Sequence, residues 1–593
     1  FEKRWGYSLI ENLPSLIRPV GDWKRVRHNY YQLLLEQFID RWAKPCYEYC
    51  EKHGIEFTGH YWEHGWPDAG HGGDNMAMYA WHQRPAIDCL MNEYQEGPHA
   101  QFGNVRAVLE LASVANQMGC ERTLCEAYGA GGWDLRFEDM KRIGDWLYVL
   151  GVNTLDEHLS YITIRGARKR DHPQSFSYHE PWWDSYHVMA EYFTRLSLVM
   201  SQGKQVNEIL VLEPTSTAWM YQGDWEKLDP LGERFQKLVT DLAKAQVEFD
   251  LGCEDIIARH GSVKGDRFVI GERSYHTVVL PDMENLNSKT LELLKEYRRG
   301  GGFLFFCGTA PARVDGVLSE APDELAPYFE ATDPVKDIQA RIRPVNDDKI
   351  DFAFGVDVSP TREKDSSAGD YMNERGTLFH HRRQVGNGQF VLLVNTSIES
   401  GHYGTFLARA GGTQKWDLLT GEVEAYPNAI RFDGDLIQAD FYLPPCGSLL
   451  LFLAKEAQDS KPADDRSLDE CDWVEPTATQ LRRTEPNVLP LDFVDLEVAG
   501  EKRQAIYVCN AAKLIFQKYG LPAGNPWSRA VQYGDELITK TFPADSGFTA
   551  SYRFTIEESV PESLEIVIER PDLYTISCNG QAVKAAKDRW WLA

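Results

Sequence analysis

GIEFTGHYWEHGW (54–66), PAIDCLMNEY (85–94), RTLCEAYGAGGWD (122–134) and GVNTLDEHLSY (151–161) decide how this chain is read. Each carries a short apolar run that ends in carboxylates or aromatic rings, and each leads into a helix-like stretch. That alternation is the pattern of consecutive strand–helix units in a parallel barrel. In such barrels the chemistry collects where the strands end. The predicted strand ends carry Glu63, His64, Asp88, Glu93, Glu126, Glu157 and His158, with Trp62, Trp66, Trp133 and Tyr161 beside them. Carboxylates among aromatic rings are what the cleavage of a sugar linkage needs.

Outward from these four segments, the periodicity predicts helices over 30–53, 101–119, 137–150 and 184–202, the first stopping at Gly54. Four strand–helix units make about the second half of an eight-unit (β/α)8 TIM barrel, assigned here to residues 1–203. The block 204–345 contains apolar runs at 207–215 and 276–283, a helix at 286–299, then GGG and FLFFCG. These are buried parallel-type strands, and the alternation implies an open, doubly wound, flavodoxin-like α/β domain. The glycine run precedes a strand instead of joining a strand to a helix, so a dinucleotide-binding loop is excluded. Short alternating segments over 346–456 predict an antiparallel β-sandwich. The polar stretch 457–470 reads as a linker. Residues 471–593 predict a second β-sandwich, with a tight turn at Asn579–Gly580. The fold class is thus multidomain, α/β plus all-β.

With 593 residues, several domains are expected. Acids outnumber bases by 89 to 62, a net charge of −27 that argues against nucleic acid as a partner. No apolar run approaches the roughly 20 residues that a membrane span requires. The eleven cysteines are scattered and odd in number, which reads as reduced thiols and leans toward a cytoplasmic setting, with periplasm or secretion left open. Cys46 and Cys50 lack a second pair for a structural zinc. Phe1 stands where a Met is usual and the chain ends in a strand-like region, so a segment of a longer protein is expected. No organic cofactor is predicted, and the oligomeric state is left open.

The segment 54–194 resembles the catalytic barrel of glycoside hydrolase family 106, the α-L-rhamnosidases. The likeness rests on the His53–Gly54 turn after a helix, on Pro85 followed three residues later by Asp88, on Glu126 in LCEAYG, and on His158 closing GVNTLDEH. WDLLTGEV (416–423) and the stretches beginning NPWSRAVQY and SGFTASYRF are similar in texture to the family's downstream domains, the last of them galactose-binding-like. Two positions depart from the pattern. Asp88 stands where the family usually has Glu, and Glu157 stands where it usually has an aromatic residue. A divergent member with its own sugar specificity is implied.

Hydrolysis needs one carboxyl group to protonate the leaving oxygen and one carboxylate to activate water or attack the anomeric carbon. Glu126 is expected to be the base and Asp88 the acid, with Glu93 a rival acid. His60, Trp62, Glu63, His64, Trp133, Glu157, His158 and Trp182 are expected to line the sugar site. The resemblance also implies Ca²⁺, for which Glu63, Asp74, Glu93 and Glu157 are candidate oxygens, without a fixed ligand set. Catalysis competes at each position with a structural role. The expected reaction is inverting cleavage of terminal α-L-rhamnosyl residues from an oligo- or polysaccharide. The alternatives are a retaining β-galactosidase-like hydrolase and a non-catalytic carbohydrate-binding protein.

Overall fold

A computed structural model of the chain describes residues 1–164, 168–169, 171–326, 328–342, 350–357, 378–456, 482, 489–521, 541–557, 559–561, 563–569 and 571–586. It is mixed α/β and rich in sheet. The chain divides into two compact units, Phe1–His158 with Asp184–Arg466, and Leu159–Trp183 with Ser467–Ala593.

In the first unit, helix α1 (Trp23–Phe38) passes through a π-turn at Ile39–Ala43 into α2 (Lys44–His53). The single helix expected over 30–53 therefore starts earlier and is interrupted. Pro45 follows the π-turn and has no N–H to give to the preceding turn of helix, and the hydrogen-bond ladder is irregular at this point. Gly54, at φ +66°, ends α2 as predicted. Strand β1 (Thr58–Gly59), helix α3 (Asn75–Tyr79), strand β2 (Arg84–Cys89), helix α4 (Val105–Met118), strand β3 (Leu124–Ala127), helix α5 (Phe137–Leu150), strand β4 (Leu155–Glu157) and helix α6 (His187–Met200) follow in order.

Strands β1 to β4 form one parallel sheet in chain order. The helix predicted over 101–119 begins only at Val105, because the Asn104 side chain accepts the Ala107 N–H and caps it. Gly119, at φ +75°, ends it. Helix α5 matches its predicted span and opens with the Asp139 carboxylate accepting the Arg136 N–H. Val108, Leu111, Val114, Ile143, Trp146 and Leu147 are buried, so α4 and α5 bear much of the core beneath the sheet.

Beyond the short strand β5 (Lys204–Gln205) come β6 (Ile209–Leu212), α7 (Trp225–Lys244), β7 (Phe249–Gly252), β8 (Thr277–Leu280), α8 (Ser288–Arg299), β9 (Phe303–Phe306) and β10 (Phe329–Glu330). The five longer-range strands pair in parallel in the order β7-β6-β8-β9-β10. Strand β6 is buried at every position, as a strand covered on both faces must be.

Strands β11 (Asp351–Asp357), β12 (Leu378–Val385), β13 (Gly388–Asn395), β14 (Gly401–Arg409), β15 (Gly412–Trp416), β16 (Val423–Ala425), β17 (Ala429–Asp433), β18 (Leu436–Leu443) and β19 (Ser448–Ala454) make two antiparallel sheets, ordered β11-β14-β18-β17 and β16-β15-β19-β13-β12-β5. Val391, Leu393, Leu451 and Leu453 of the larger sheet share one core with Phe406, Ala439 and Phe441 of the smaller. Two inner apolar faces interdigitate there.

The second unit has a three-stranded sheet of β20 (Phe493–Val498), β21 (Glu501–Tyr507) and β22 (Phe548–Ser551), ordered β21-β20-β22. Helix α9 (Val508–Lys518) packs on it through Ala511, against Val494, Leu496 and Val498. Strands β23 (Ser577–Cys578) and β24 (Gln581–Ala582) close a hairpin over Asn579 and Gly580 at φ +49° and +80°, the turn predicted from this dipeptide. The predicted linker 457–470 and the stretch beginning NPWSRAVQY lie outside the described residues.

Among the described residues no helix is long and apolar enough to cross a membrane, and the described cysteines are free thiols.

Candidate active site

The C-terminal ends of β2, β3 and β4 bring the candidate carboxylates together. Asp88 on β2 is the register partner of Glu126 on β3, and Glu126 is the register partner of Asp156 on β4. Register partners share a face of a sheet, because successive side chains alternate. Asp88, Glu126 and Asp156 therefore form one row across three neighbouring strands. Glu157 pairs with Ala127 and belongs to the opposite face, where its carboxylate accepts a hydrogen bond from the Tyr186 hydroxyl. Asp156 was not among the predicted residues. The parity of DEH could have suggested it, since a one-residue shift changes the face.

Two imidazoles flank Glu126. Nε2 of His60, just beyond β1, lies 2.9 Å from Glu126 Oε2, and Nε2 of His158, just beyond β4, lies 3.7 Å from Oε1. Burial disfavours a charged His60 ring, but the negative charges of Glu63, Glu126 and Asp88 outweigh it and raise its pKa. The backbone N–H of His158 donates to Ala127 O at 2.9 Å, which continues the β3–β4 pairing and sets the ring beside Glu126. The loop after β3 is tied to the loop after β2. Met91 N–H donates to Gly129 O at 2.7 Å, and the Asn92 amide donates to Gly131 O at 3.1 Å. Gly129 sits where a Cβ would meet Leu90 Cδ2 at 2.7 Å and His158 Cγ at 2.9 Å, so only glycine leaves the His158 ring in place. Met91, Tyr128 and Ala130 hold positive φ angles in these loops, backbone strain of the kind that gathers at functional sites.

Glu63 and His64 hold Asp88 from behind. The Glu63 side chain is 1% exposed. Its Oε1 accepts the Asp88 N–H at 2.6 Å, and its Oε2 accepts the Tyr61 N–H at 3.2 Å and the Tyr79 hydroxyl at 3.3 Å. His64 places Nε2 2.7 Å from Asp88 O and Nδ1 2.6 Å from Ala100 O. These two side chains are therefore braces of the Asp88 backbone. Glu93 is exposed in the loop after β2. Trp133 is partly buried in the loop after β3. Trp62 is exposed and stacks on His71, another residue outside the predicted set. Trp66 is buried, its indole N–H donating to Thr215 Oγ1 at 3.0 Å beneath the Arg106 guanidinium. Trp182 belongs to the second unit, where it packs against Phe176.

The candidate calcium oxygens do not converge. Glu63 is engaged as described, and Glu157 holds Tyr186. The Asp74 carboxylate caps α3 through the Ala77 N–H at 2.9 Å and accepts from the Cys253 thiol at 3.3 Å. Among the described residues no three His, Cys, Asp or Glu side chains come together in a way that could hold a metal ion. This set does not fit Ca²⁺, and no step is derived through it.

Below the site lies a buried acidic group. Glu110 pairs with Arg106 on α4, Glu213 ends β6, and Asp74 caps α3. Glu110 accepts from the Arg106 guanidinium, and Glu213 accepts from the Thr215 hydroxyl at 2.6 Å. Burial pushes Glu110 and Asp74 up to about 7 and raises Glu213 well above the usual carboxylate range.

Comparison with known proteins reaches the same region. The family model described as alpha-L-rhamnosidase, Glyco_hydro_106, matches residues 1–427. A protein of Formosa agariphila named "Putative beta-glucuronidase" is 26% identical over 228 residues, 37% of this chain and 18% of that protein. Among solved structures, the rhamnosidase from Novosphingobium sp. PP1Y superposes with a TM-score of 0.53 at 18% identity, over 80% of this chain and 42% of that one. An exo-carrageenase from Bacteroides ovatus gives a TM-score of 0.44 at 12% identity, over 66% of this chain and 51% of that one. The rhamnosidase likeness shows a shared fold. The chain spans less than half the length of these first two relatives.

Proposed function

Since the chain belongs to glycoside hydrolase family 106, the α-L-rhamnosidases, we propose that it cleaves terminal α-L-rhamnosyl or closely related residues from an oligo- or polysaccharide. The observation that carries this reading is the single-face row Asp88–Glu126–Asp156, with His60 and His158 at the two oxygens of Glu126. In the proposed reaction Asp88 donates a proton to the departing glycosidic oxygen. Glu126 takes a proton from the attacking water, which adds to the anomeric carbon as the bond breaks. Glu63 and His64 hold the Asp88 backbone, and His60 orients the Glu126 carboxylate. Glu93, exposed near Asp88, is the rival donor.

One observation favours a second, retaining reading. Asp88 and Glu126 are register partners on adjacent strands, a placement that favours the closer carboxyl pair of a retaining enzyme, about 5–5.5 Å, over the wider inverting pair, about 6.5–9.5 Å. Asp88 and Asp156, two strands apart, offer the wider spacing.

The finer domain reading belongs with this proposal. The four parallel strands support a portion of a (β/α)8 barrel. The strand order β7-β6-β8-β9-β10 is the 2-1-3-4-5 order of flavodoxin-like domains. The two facing sheets support the first β-sandwich, and the last domain is proposed to be galactose-binding-like.

The test is hydrolysis of a panel of aryl glycosides led by the α-L-rhamnoside, with and without EDTA, followed by NMR of the first-formed anomer. Rhamnoside cleavage giving the inverted anomer is the expected result. The retained anomer selects the second reading, and cleavage of another glycoside alone overturns the rhamnosyl assignment. Suppression by EDTA would show that the activity depends on a bound metal ion.

A further inference from the structure

Trp62 is 71% exposed, while its neighbours Tyr61 and Glu63 are buried. Its backbone lies in the left-handed region at φ +39°, which costs a bulky residue energy. The loop holds it there from both sides. Glu63 accepts the Tyr61 and Asp88 N–H groups, and Gly65 N–H donates to Trp62 O at 2.8 Å. The indole is therefore displayed to solvent by a stiff, buried anchor. It stacks near-parallel on His71, centroids 5.1 Å apart and planes 25° apart. The His71 loop is also pinned on both sides, by Ala69 N–H donating to Gln222 Oε1 at 3.0 Å and by the Trp219 indole donating to Gly73 O at 2.7 Å.

Resting on the glycosidase reading, we propose that the Trp62–His71 pair is the platform for the sugar on the leaving-group side of the scissile bond. A flat, exposed aromatic face suits the apolar C–H face of a pyranose ring, and a rigid one binds it with little loss of conformational freedom. The connectivity fixes the side. Glu63 and His64, the two residues after Trp62, hold the N–H and C=O of Asp88. The platform is thus tethered to the group assigned to protonate the leaving oxygen. His60, on the other side of Trp62, reaches Glu126, the group assigned to act at the anomeric carbon.

The experiment compares wild type, Trp62→Ala, Trp62→Phe and His71→Ala on methyl α-L-rhamnoside, which has no second ring, and on a rhamnose-terminated disaccharide. Trp62→Ala is expected to lower kcat/KM for the disaccharide about tenfold, chiefly through KM, and to leave the methyl glycoside within about twofold. Trp62→Phe should restore most of the loss, and His71→Ala should show a smaller one. Equal effects on both substrates, or none, overturn the proposal. If the wild type hydrolyses neither substrate, the glycosidase reading fails, and calorimetric titration with the same disaccharide judges the platform by itself. Binding that Trp62→Ala removes supports it. Binding unchanged by Trp62→Ala, or absent, overturns it.

Discussion

His60 Nε2 sits 2.9 Å from Glu126 Oε2 although His60 follows β1, Glu126 lies on β3, and 66 positions separate them. That contact joins the loop after β1 to the end of β3 and fixes one lone-pair direction of the carboxylate assigned to act on water. His158 at 3.7 Å limits the other oxygen.

Glu126→Gln keeps the shape and removes the carboxylate proposed as the base. Hydrolysis of the preferred aryl glycoside should fall by about 10²–10⁴-fold in kcat. Circular dichroism and the melting temperature should change little, because Glu126 is partly exposed and is not a core group. Full activity in this variant would remove Glu126 from the mechanism.

His60→Gln should change the alkaline limb of the pH profile. The folded pKa of His60 is raised, so its charged contact with Glu126 is complete below the ordinary histidine pKa of about 6.5 and is lost as pH rises through the higher folded value. The wild type should lose activity over that interval and the variant should not. Superimposable kcat–pH curves for the two proteins would refute a role for this ring.

Gly129→Ala drives a methyl group into His158 Cγ and Leu90 Cδ2. Displacing the His158 ring should cost about 10²-fold in kcat, with the substrate range unchanged. A companion Gly386→Ala, at a site with open space around the new methyl, should leave kcat untouched.

The buried trio Asp74, Glu110 and Glu213 makes stability fall as pH rises. Each holds a proton in the folded state that the unfolded chain releases near the ordinary carboxylate pKa. The folded state is therefore favoured at low pH, and that advantage is lost as pH climbs from about 4 through about 7. Glu213→Gln, which keeps a polar group without a titrating proton, should flatten this slope. Melting temperatures of variant and wild type should diverge by a few degrees at pH 8 and converge at pH 5. Parallel curves would show that the trio does not control the slope.

Local pattern carried much of the architecture. The 3.6-residue periodicity of 137–150, with an acid in position to cap it, is a property of neighbouring residues, and the helix appears where that periodicity places it. The same holds for the Asn579–Gly580 hairpin. The helix over 30–53 was less legible, because its extension back to Trp23 depends on packing: Val26, Arg27 and His28 are buried there.

The sequence by itself located the four parallel strands and most of the helices between them, showed that those strands end in carboxylates and imidazoles, and showed that Glu126 and His158 follow the family pattern while Asp88 departs from it. Only the tertiary structure decided which of those groups meet. Strand register placed Asp156 in the row with Asp88 and Glu126 and turned Glu157 to the other face toward Tyr186. Burial made Glu63 a brace of the Asp88 backbone, and loop anchoring set His71 under Trp62. The physical reason is that propensity and periodicity act between residues a few positions apart. Register, burial and ring stacking instead arise from hydrogen bonds and packing between segments far apart in the chain, where a shift of one residue exchanges the faces.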